Sequence, residues 1–474
     1  MTALAPDAAR SRTRDVHRRL GRRARRDAGV RLLSGSLLWL ALLLPSFWWA
    51  TDGGLRDLAS GGAAALISTG RLTGLVASVL LLAQVVLMAR VPALEQAFGQ
   101  DRLARLHRLV GFTSFNLMLA HIVTITWGYA AGQLSSTPRT LWDLVVNYPA
   151  MLLATAGTAA LVLVVATSIR ASRRRLRYES WHLLHLYAYL GVGLALPHQL
   201  WTGQQFISSP ARAAFWWTAW AVAAGAVLVW RLGVPVSRNL RHRLRVASVV
   251  REAPGITSVY VTGHQLDRLR VEAGQFFTWR FLGGPGWTRA HPYSISAGPD
   301  GRSLRITVQH VGDGSRGALR LRPGTRVLVE GPYGRLSARA RTRRKVALIG
   351  AGVGVTPLRA LAEGLDYRPG EAVLLQRFTR TPLFARELDA LARERGLELI
   401  DVPGRRRAAH SWLSDVVGPV AQATDLAVLR GWLPDIADRD VYLCGPGGWT
   451  DLVRRSLAAA GVPDEHIHLE TFSW

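Results

Sequence analysis

Along the first half of the chain, apolar residues come in long runs instead of alternating with polar ones. Runs of about 17 to 20 residues occupy 32–50, 72–88, 110–127, 148–167, 181–198 and 211–230, each close to the length a helix needs to cross hydrocarbon. The pattern predicts six transmembrane helices. From about Arg243 the period shortens to the alternating runs "VASVVREAPGITSVYVTG", "QFFTWRFL" and "SLRITVQHV", broken by Gly and Pro turns, which predicts antiparallel strands. After Lys345 the apolar strands "KVALIG", "EAVLLQR" and "DVYLCG" each lead into a helical pattern, and this alternation predicts a parallel α/β domain. The chain thus divides into a basic tail (1–31), a six-span membrane bundle (32–232), an antiparallel β domain (243–338) and an α/β domain (343–474), with no internal repeat.

Composition agrees with a membrane portion, because 49% hydrophobic residues is high for a soluble chain of 474. The formal charge of +27 would suit a nucleic-acid partner if it formed one basic face, but its distribution says otherwise. Arg18, Arg19, Arg22, Arg23, Arg25, Arg26 and Arg31 precede the first run, and Arg102, Arg105 and Arg108 separate the second from the third. The segment "SIRASRRRLRYES" joins the fourth to the fifth, and Arg238, Arg241, Arg243 and Arg245 follow the sixth. The loops "TDGGLRDLASGGAAALISTG", "GYAAGQLSSTPRTLWDLVVN" and "LWTGQQFISSPAR" contain only Arg56, Arg139 and Arg212. Arginine-rich short segments stay inside, so this alternation predicts a multi-pass protein of the plasma (inner) membrane with both termini cytoplasmic. The polar start is too long for the charged region of a cleaved signal peptide and reads as a tail ahead of a retained span. The partner is a lipid bilayer, not nucleic acid. Cys444 is the only cysteine, which excludes a disulfide framework and an iron–sulfur cluster held by four thiolates of this chain.

A redox centre in such a chain must therefore use histidine or an organic cofactor. Within the third run and its approach, His107 and His121 are fourteen residues apart, about 40° apart in helical phase and ~21 Å apart along the axis. In the fifth, His185 and His198 are thirteen apart, ~20 Å of rise. Their ideal phase is poor, but Pro197 removes a backbone donor and can kink the helix just before His198. Both runs point the same way across the bilayer. His107 and His185 therefore fall near the cytoplasmic face, and His121 and His198 near the outer one. A single intramembrane histidine has several uses; two pairs at matched depths are the ligand set of two bis-histidine haems. His182 shares a face with His185 at i+3, so an exchange between these two stays open.

The second half carries motifs in a fixed order: "RAHPYSIS" from Arg289 at a strand end, "HVGDGSRGAL" after the next strand, then "EGPYG" and "GAGVGVTP". A Tyr followed by Ser offers a flat ring and a hydroxyl to a flavin, and a Gly/Ser turn offers N–H groups to phosphate. The glycines of "GAGVGVTP" sit between a strand and a helix, the context of a pyrophosphate site at a helix N-terminus. With these motifs the chain resembles the ferric reductase and NADPH oxidase superfamily, a ferric-reductase-like transmembrane domain fused to a ferredoxin-reductase-like dehydrogenase.

That resemblance implies a six-helix haem-binding bundle, an antiparallel β-barrel that binds FAD and a parallel-sheet α/β domain that binds NAD(P)H. It implies that His291, Pro292, Tyr293 and Ser294 bind flavin, with Ser294 near the reactive N5. It implies that Gly312, Gly314 and Ser315 hold the FAD pyrophosphate, and that Gly350, Gly352, Gly354, Thr356 and Pro357 hold the nicotinamide nucleotide. Cys444, Gly445 and Pro446 match the Cys-Gly-Pro element at the nicotinamide end, and the ending "HLETFSW" places Phe472, or Trp474, over the flavin face. Arg377 and Arg380 follow the second strand of the α/β domain, where arginine forks suit an adenosine 2'-phosphate; "GRRR" at Gly404 is a second candidate. They favour NADPH, with NADH open.

The expected activity is electron transfer from NAD(P)H through FAD and two haems b to an acceptor outside, oxygen yielding superoxide or a ferric chelate. Haems with both axial positions filled reduce an acceptor without binding it and do not choose between these. The alternative is a haem-binding membrane subunit or sensor that serves a partner complex.

Overall fold

The computed structural model describes residues 5–169, 178–203, 206, 208–283, 289–416 and 424–471. The chain forms two compact units, one of Arg26–Gly233 and one of Met1–Arg25 with Val234–Trp474.

Helix α1 (Ala5–Trp49) runs unbroken from the basic tail through the first apolar run. It is followed by α2 (Gly62–Met88), α3 (Gln100–Tyr129), α4 (Thr137–Asn147), α5 (Met151–Ser168), α6 (Tyr178–Thr202) and α7 (Pro210–Ala226). Among the described residues five segments, Arg25–Ala59, Gly62–Met88, Arg102–Tyr129, Met151–Ser168 and Pro210–His242, are long and apolar enough to cross a membrane. The predicted fifth span, 181–198, lies in α6 and is not among them; His182, His185, His198 and Gln199 dilute its apolar character. The stretch expected as a loop between the third and fourth runs contains α4, which opens with a proline in its first turn. It buries Leu144 while Leu141 and Trp142 stay exposed, the amphipathic pattern of an interfacial helix.

Two helix pairs are drawn together by small residues, the usual device where lipid removes a hydrophobic drive between helices. A Cβ on Gly70 of α2 would stand 2.5 Å from Ile125 of α3, and one on Gly128 would stand 2.6 Å from Ile67. In the α5–α6 pair, a Cβ on Gly157 or on Gly191 would come within 2.7 or 2.9 Å of the other's carbonyl oxygen. Backbones this close leave α3 and α6 little freedom to rotate, and these are the helices that carry the histidines.

The second unit opens with helix α8 (Val234–His242), whose Asn239 side chain accepts from the Val329 N–H at 2.8 Å and donates to its carbonyl at 2.9 Å. Six antiparallel strands follow: β1 (Arg245–Ala253), β2 (Ile256–Thr262), β3 (Phe276–Phe281), β4 (His291–Ser294), β5 (Ser303–Gln309) and β6 (Val327–Tyr333). They form the sheets β1-β2-β5 and β4-β3-β6. Bridges Arg245–Arg326 and Ile295–Ile306 join the two at both edges, so the sheets close into a barrel and leave no open edge. Strand β6 alternates buried and half-buried residues along its whole length, as a barrel strand must.

The α/β domain has five parallel strands in the order β11-β10-β7-β8-β9, with β7 (Lys345–Ala351), β8 (Ala372–Arg377), β9 (Glu398–Val402), β10 (Arg439–Gly445) and β11 (Ile467–Thr471). Strands β7, β8 and β10 are almost wholly buried, which explains their continuous apolar runs. Helices α9 (Val355–Gly364), α10 (Ala385–Arg395), α11 (Asp425–Trp432) and α12 (Gly447–Ala459) complete it. One core runs from Val259, Phe277, Trp279 and Ile306 of the barrel to Leu348, Leu358 and Leu361. Buried Arg305 of β5 adds a two-pronged ion pair to Glu387 of α10, at 2.7 and 2.9 Å. The joining segment is pinned by fully buried Asp440, which accepts from the N–H groups of Thr342 and Arg343 and from His468. Burial alone would raise the Asp440 carboxyl, but the His468 and backbone donors outweigh it and hold the group at about 2.

Candidate functional site

In the helical unit, α3 and α6 bring the four histidines into two pairs. The rings of His107 and His185 have centres 6.0 Å apart with planes at 67°, and those of His121 and His198 are 6.5 Å apart at 52°. An imidazole nitrogen stands ~2 Å from a metal it ligates, so two imidazoles facing across one metal have ring centres about 6 Å apart. Both pairs meet that separation. Pro197 lies within α6, and His198 reaches its partner although an ideal helix would turn it away. His182 sits one turn before His185 on the same helix.

The surroundings of the rings fit a metal-bound group. The Gly70 carbonyl accepts from His121 Nδ1 at 2.8 Å, and a Cβ on Gly74 would stand 2.6 Å from that same nitrogen. His198 Nδ1 meets Thr202 Oγ1 at 2.7 Å, and His185 Nδ1 lies 3.3 Å from Ser168 Oγ. His107 faces the Gln84 main chain of α2, in looser geometry than the contact of His121 with Gly70. Occupying Nδ1 leaves Nε2 as the ligating atom. Among the described residues no group of three or more His, Cys, Asp or Glu side chains comes together as a metal cage. Two imidazoles per level suit a group that brings its own equatorial nitrogens, as haem does.

On the barrel, β4 presents the "HPYS" motif opposite β3, with Ser294 paired to Phe276 and Tyr293 to Phe277. Burial pushes the Tyr293 phenol up to about 12, so it is a neutral donor at ordinary pH. Ser294 is 5% exposed and its Oγ, fully buried, has no hydrogen-bond partner. A buried hydroxyl without a partner costs ~1–3 kcal/mol, so this one is built for something that arrives. In the turn after β5, Ser315 Oγ accepts from the N–H groups of Val311 and Gly312, both at 3.0 Å. Ser315 therefore shapes the turn, whose single helical turn Asp313–Arg316 contains Gly314.

Beyond β6, Gly334 has φ +96°, and a Cβ there would be 3.1 Å from the Phe276 ring and 3.4 Å from Glu470 Oε1. Glu470 of β11 pairs in register with Cys444 of β10, so Ser294, Phe276, Gly334, Glu470 and Cys444 follow one another as neighbours from the barrel to the α/β sheet. In the sequence Glu470 is marked only by its place in the ending "HLETFSW". Phe472 and Trp474 lie outside the described residues.

Strand order in the α/β domain reverses between β7 and β10, and ligands of open parallel sheets bind at such a switch point, beyond the carboxyl ends of the strands. Gly350 is in register with Cys444 across these two strands. Gly352 has φ +55°, and a Cβ on Gly354 would stand 2.3 Å from the Cys444 carbonyl oxygen and 2.9 Å from Gly445 Cα. The two loops therefore touch only because Gly354 has no side chain. Thr356 and Pro357 are buried in the first turn of α9, and Thr356 Oγ1 donates to the Val353 carbonyl at 2.8 Å. Pro446 caps α12 by accepting from the N–H groups of Trp449 and Thr450. Burial pushes the Cys444 thiol well above its ordinary value, with Glu470 adding to it, so it is not a nucleophile.

Arg377 ends β8 and is in register with Val402 of β9, which leads to the "GRRR" turn. Burial first, then neighbouring Arg406, depress the Arg377 guanidinium, while Asp415 opposes them. Arg377 Nε is buried with no hydrogen bond. Arg407 is committed to Asp425 and Ser411, each at 3.0 Å, and Arg380 is exposed on the preceding turn. Arg377 and Arg406 thus place two positive charges near each other at the carboxyl end of β8, with Asp415 beside them.

Comparison with known proteins separates along the same lines. The family of the ferric reductase like transmembrane component matches residues 73–196. The ferredoxin reductase component of 3-ketosteroid-9-alpha-monooxygenase from Mycolicibacterium smegmatis is 33% identical over 48% of this chain, which spans 65% of that protein's length. Ferredoxin–NADP reductase B from Sorangium cellulosum is 31% identical over 42% of this chain and 85% of its own. Among solved structures, the FAD/NAD binding domain of nitric oxide dioxygenase from Vibrio cholerae is 25% identical, with 49% of this chain and 99% of that one covered at a TM-score of 0.39.

Proposed function

The chain belongs to the architecture in which a ferric-reductase-like transmembrane component is fused to a ferredoxin-reductase-like FAD- and NAD-binding module, and on that premise we propose that it carries electrons from NAD(P)H through FAD and two haems b to an acceptor across a membrane. The observation that supports this most is the pair of imidazole pairs, at 6.0 and 6.5 Å. The distribution of arginine-rich segments supports a topology of six spans with NAD(P)H, the flavin and both termini on the cytoplasmic side, His107 and His185 inward and His121 and His198 outward. The acceptor is a small molecule, oxygen or a ferric chelate.

Bound FAD supplies the junction between a hydride donor and one-electron centres. The chain's own contribution is placement. Tyr293 and Ser294 hold the flavin edge, with Ser294 Oγ as the donor kept for it. The Gly350–Gly354 turn and the start of α9 receive the dinucleotide pyrophosphate, and Gly354 lets that turn close on Cys444 and Gly445. Buried Ser294 and Phe276 would limit water where hydride moves.

The test is anaerobic addition of NADPH to detergent-purified protein, where flavin bleaching is expected first and haem reduction after it. Flavin without haem would end this reading; haem without flavin would support a haem-binding subunit in its place.

We read Arg377 and Arg406 as the anion site for an adenosine 2'-phosphate, which favours NADPH. Arg377→Ala combined with Arg406→Ala is expected to lower the NADPH-over-NADH ratio of kcat/KM by about 10- to 100-fold, the equivalent of losing one or two charge-assisted hydrogen bonds. Steady-state kinetics with both coenzymes checks it, and NADH turnover should be nearly unchanged.

A further inference from the structure

The two histidine pairs are not held alike. Thr202 Oγ1 lies 2.7 Å from His198 Nδ1 and 2.7 Å from the His198 carbonyl oxygen. A hydroxyl has one hydrogen, and a carbonyl can only accept. The hydroxyl therefore donates to the carbonyl one helical turn back and accepts from His198 Nδ1–H. The same count applies to His121, whose Nδ1 faces the Gly70 carbonyl at 2.8 Å and so carries the proton. Both rings of this pair are locked with Nε2 bare and pointing away from their supports. In the other pair His107 faces the Gln84 main chain of α2 in looser geometry, and Ser168 Oγ stands 3.3 Å from His185 while also accepting from Trp181 Nε1 at 3.2 Å.

We infer that Thr202 is a positioning residue for the His121–His198 haem: it fixes His198 as an Nε2 ligand and, by accepting from Nδ1–H, keeps the reduction potential of that haem below the value it would otherwise have. This rests on the haem reading proposed above. Donation from Nδ1–H puts electron density on Nε2, and a stronger donor ligand stabilises ferric over ferrous iron. The hydroxyl behind His198 stands at 2.7 Å and the one behind His185 at 3.3 Å, so the two haems differ in potential for a reason that lies outside their ligands. The hydroxyl is also what spares His198 a buried, unpaired N–H in the turn after Pro197.

The experiment compares wild type, Thr202→Val and Thr202→Ser as full-length protein in detergent, by haem content, low-temperature electron paramagnetic resonance and spectroelectrochemical titration. Valine keeps the shape and removes the hydroxyl; serine keeps the hydroxyl. In the valine protein one of two midpoints is expected to move positive, with a changed low-spin signal for that haem alone, and it should be the haem missing from His198→Ala protein. The serine protein should titrate like wild type. Loss of one haem in the valine protein that serine restores carries the same meaning. Two unmoved midpoints in Thr202→Val, or equal changes in valine and serine proteins, would overturn the inference while leaving the haem reading intact. Wild type without haem would remove both.

Discussion

His198→Ala protein is expected to bind one haem where the unchanged chain binds two, so the haem-to-flavin ratio falls from about two to about one. The pairs lie ~20 Å apart along their helices, and sites that distant respond independently; the His107–His185 haem should keep its spectrum. NADPH should still bleach the flavin and reduce the remaining haem, while transfer to the outer acceptor is lost. His121→Ala should give the same result, because either ring removed leaves the same level with a single imidazole. Haem extraction and flavin release from one preparation measure the ratio. If neither substitution lowers bound haem, the ligand assignment is wrong.

Ser294→Ala is expected to slow flavin reduction by NADPH on the order of 10²-fold, the usual cost of deleting one preorganised donor at a reacting centre. Its second signature has the opposite sign. Ser294 Oγ is buried and unpartnered in the protein alone, and removing such a group relieves a desolvation penalty of ~1–3 kcal/mol. The flavin-free variant should thus unfold at the same temperature as wild type or higher, while flavin reduction in the loaded protein slows. Stopped-flow absorbance and thermal melts check the two halves. A variant that reduces flavin at the wild-type rate would remove Ser294 from the site.

Much of the architecture was legible before any coordinates, because it depends on period. Unbroken apolar runs, alternation and the strand–helix repeat of "KVALIGAGVGVTP" each respond to a local solvent environment, so apolar helices, antiparallel strands and α/β domain separate on pattern alone, while closure of the strands into a barrel did not. The weak point was 181–198, where three histidines counted against a span. The same residues that made this helix ambiguous by composition made it informative by chemistry. Helix α4 was missed for a related reason: eleven residues that begin with Thr and Pro look like a loop, and their amphipathic character shows only once a helical period is imposed.

Other features depended on approach between distant segments. Glu470 is one acid near a chain end until β11 pairs with β10 and sets it beside Cys444. Arg406 is one of many arginines until β8 and β9 lie side by side and bring it to Arg377. Arg407, its neighbour in "GRRR", is spent on Asp425.

The sequence by itself determined which runs are apolar, which segments build strands, and that His107, His121, His185 and His198 fall at two levels along their helices, since hydropathy and a rise of ~1.5 Å per residue are local properties. Only the tertiary structure decided that the imidazoles face one another, because rotation of α6 is set by the contact of Gly157 with Gly191 and by the kink freedom at Pro197, not by ideal phase. It also decided what stands behind each ring. A carbonyl of α2 or a hydroxyl from a neighbouring turn, and how closely it approaches, is a property of packed neighbours, and that is where two identical ligand pairs become different.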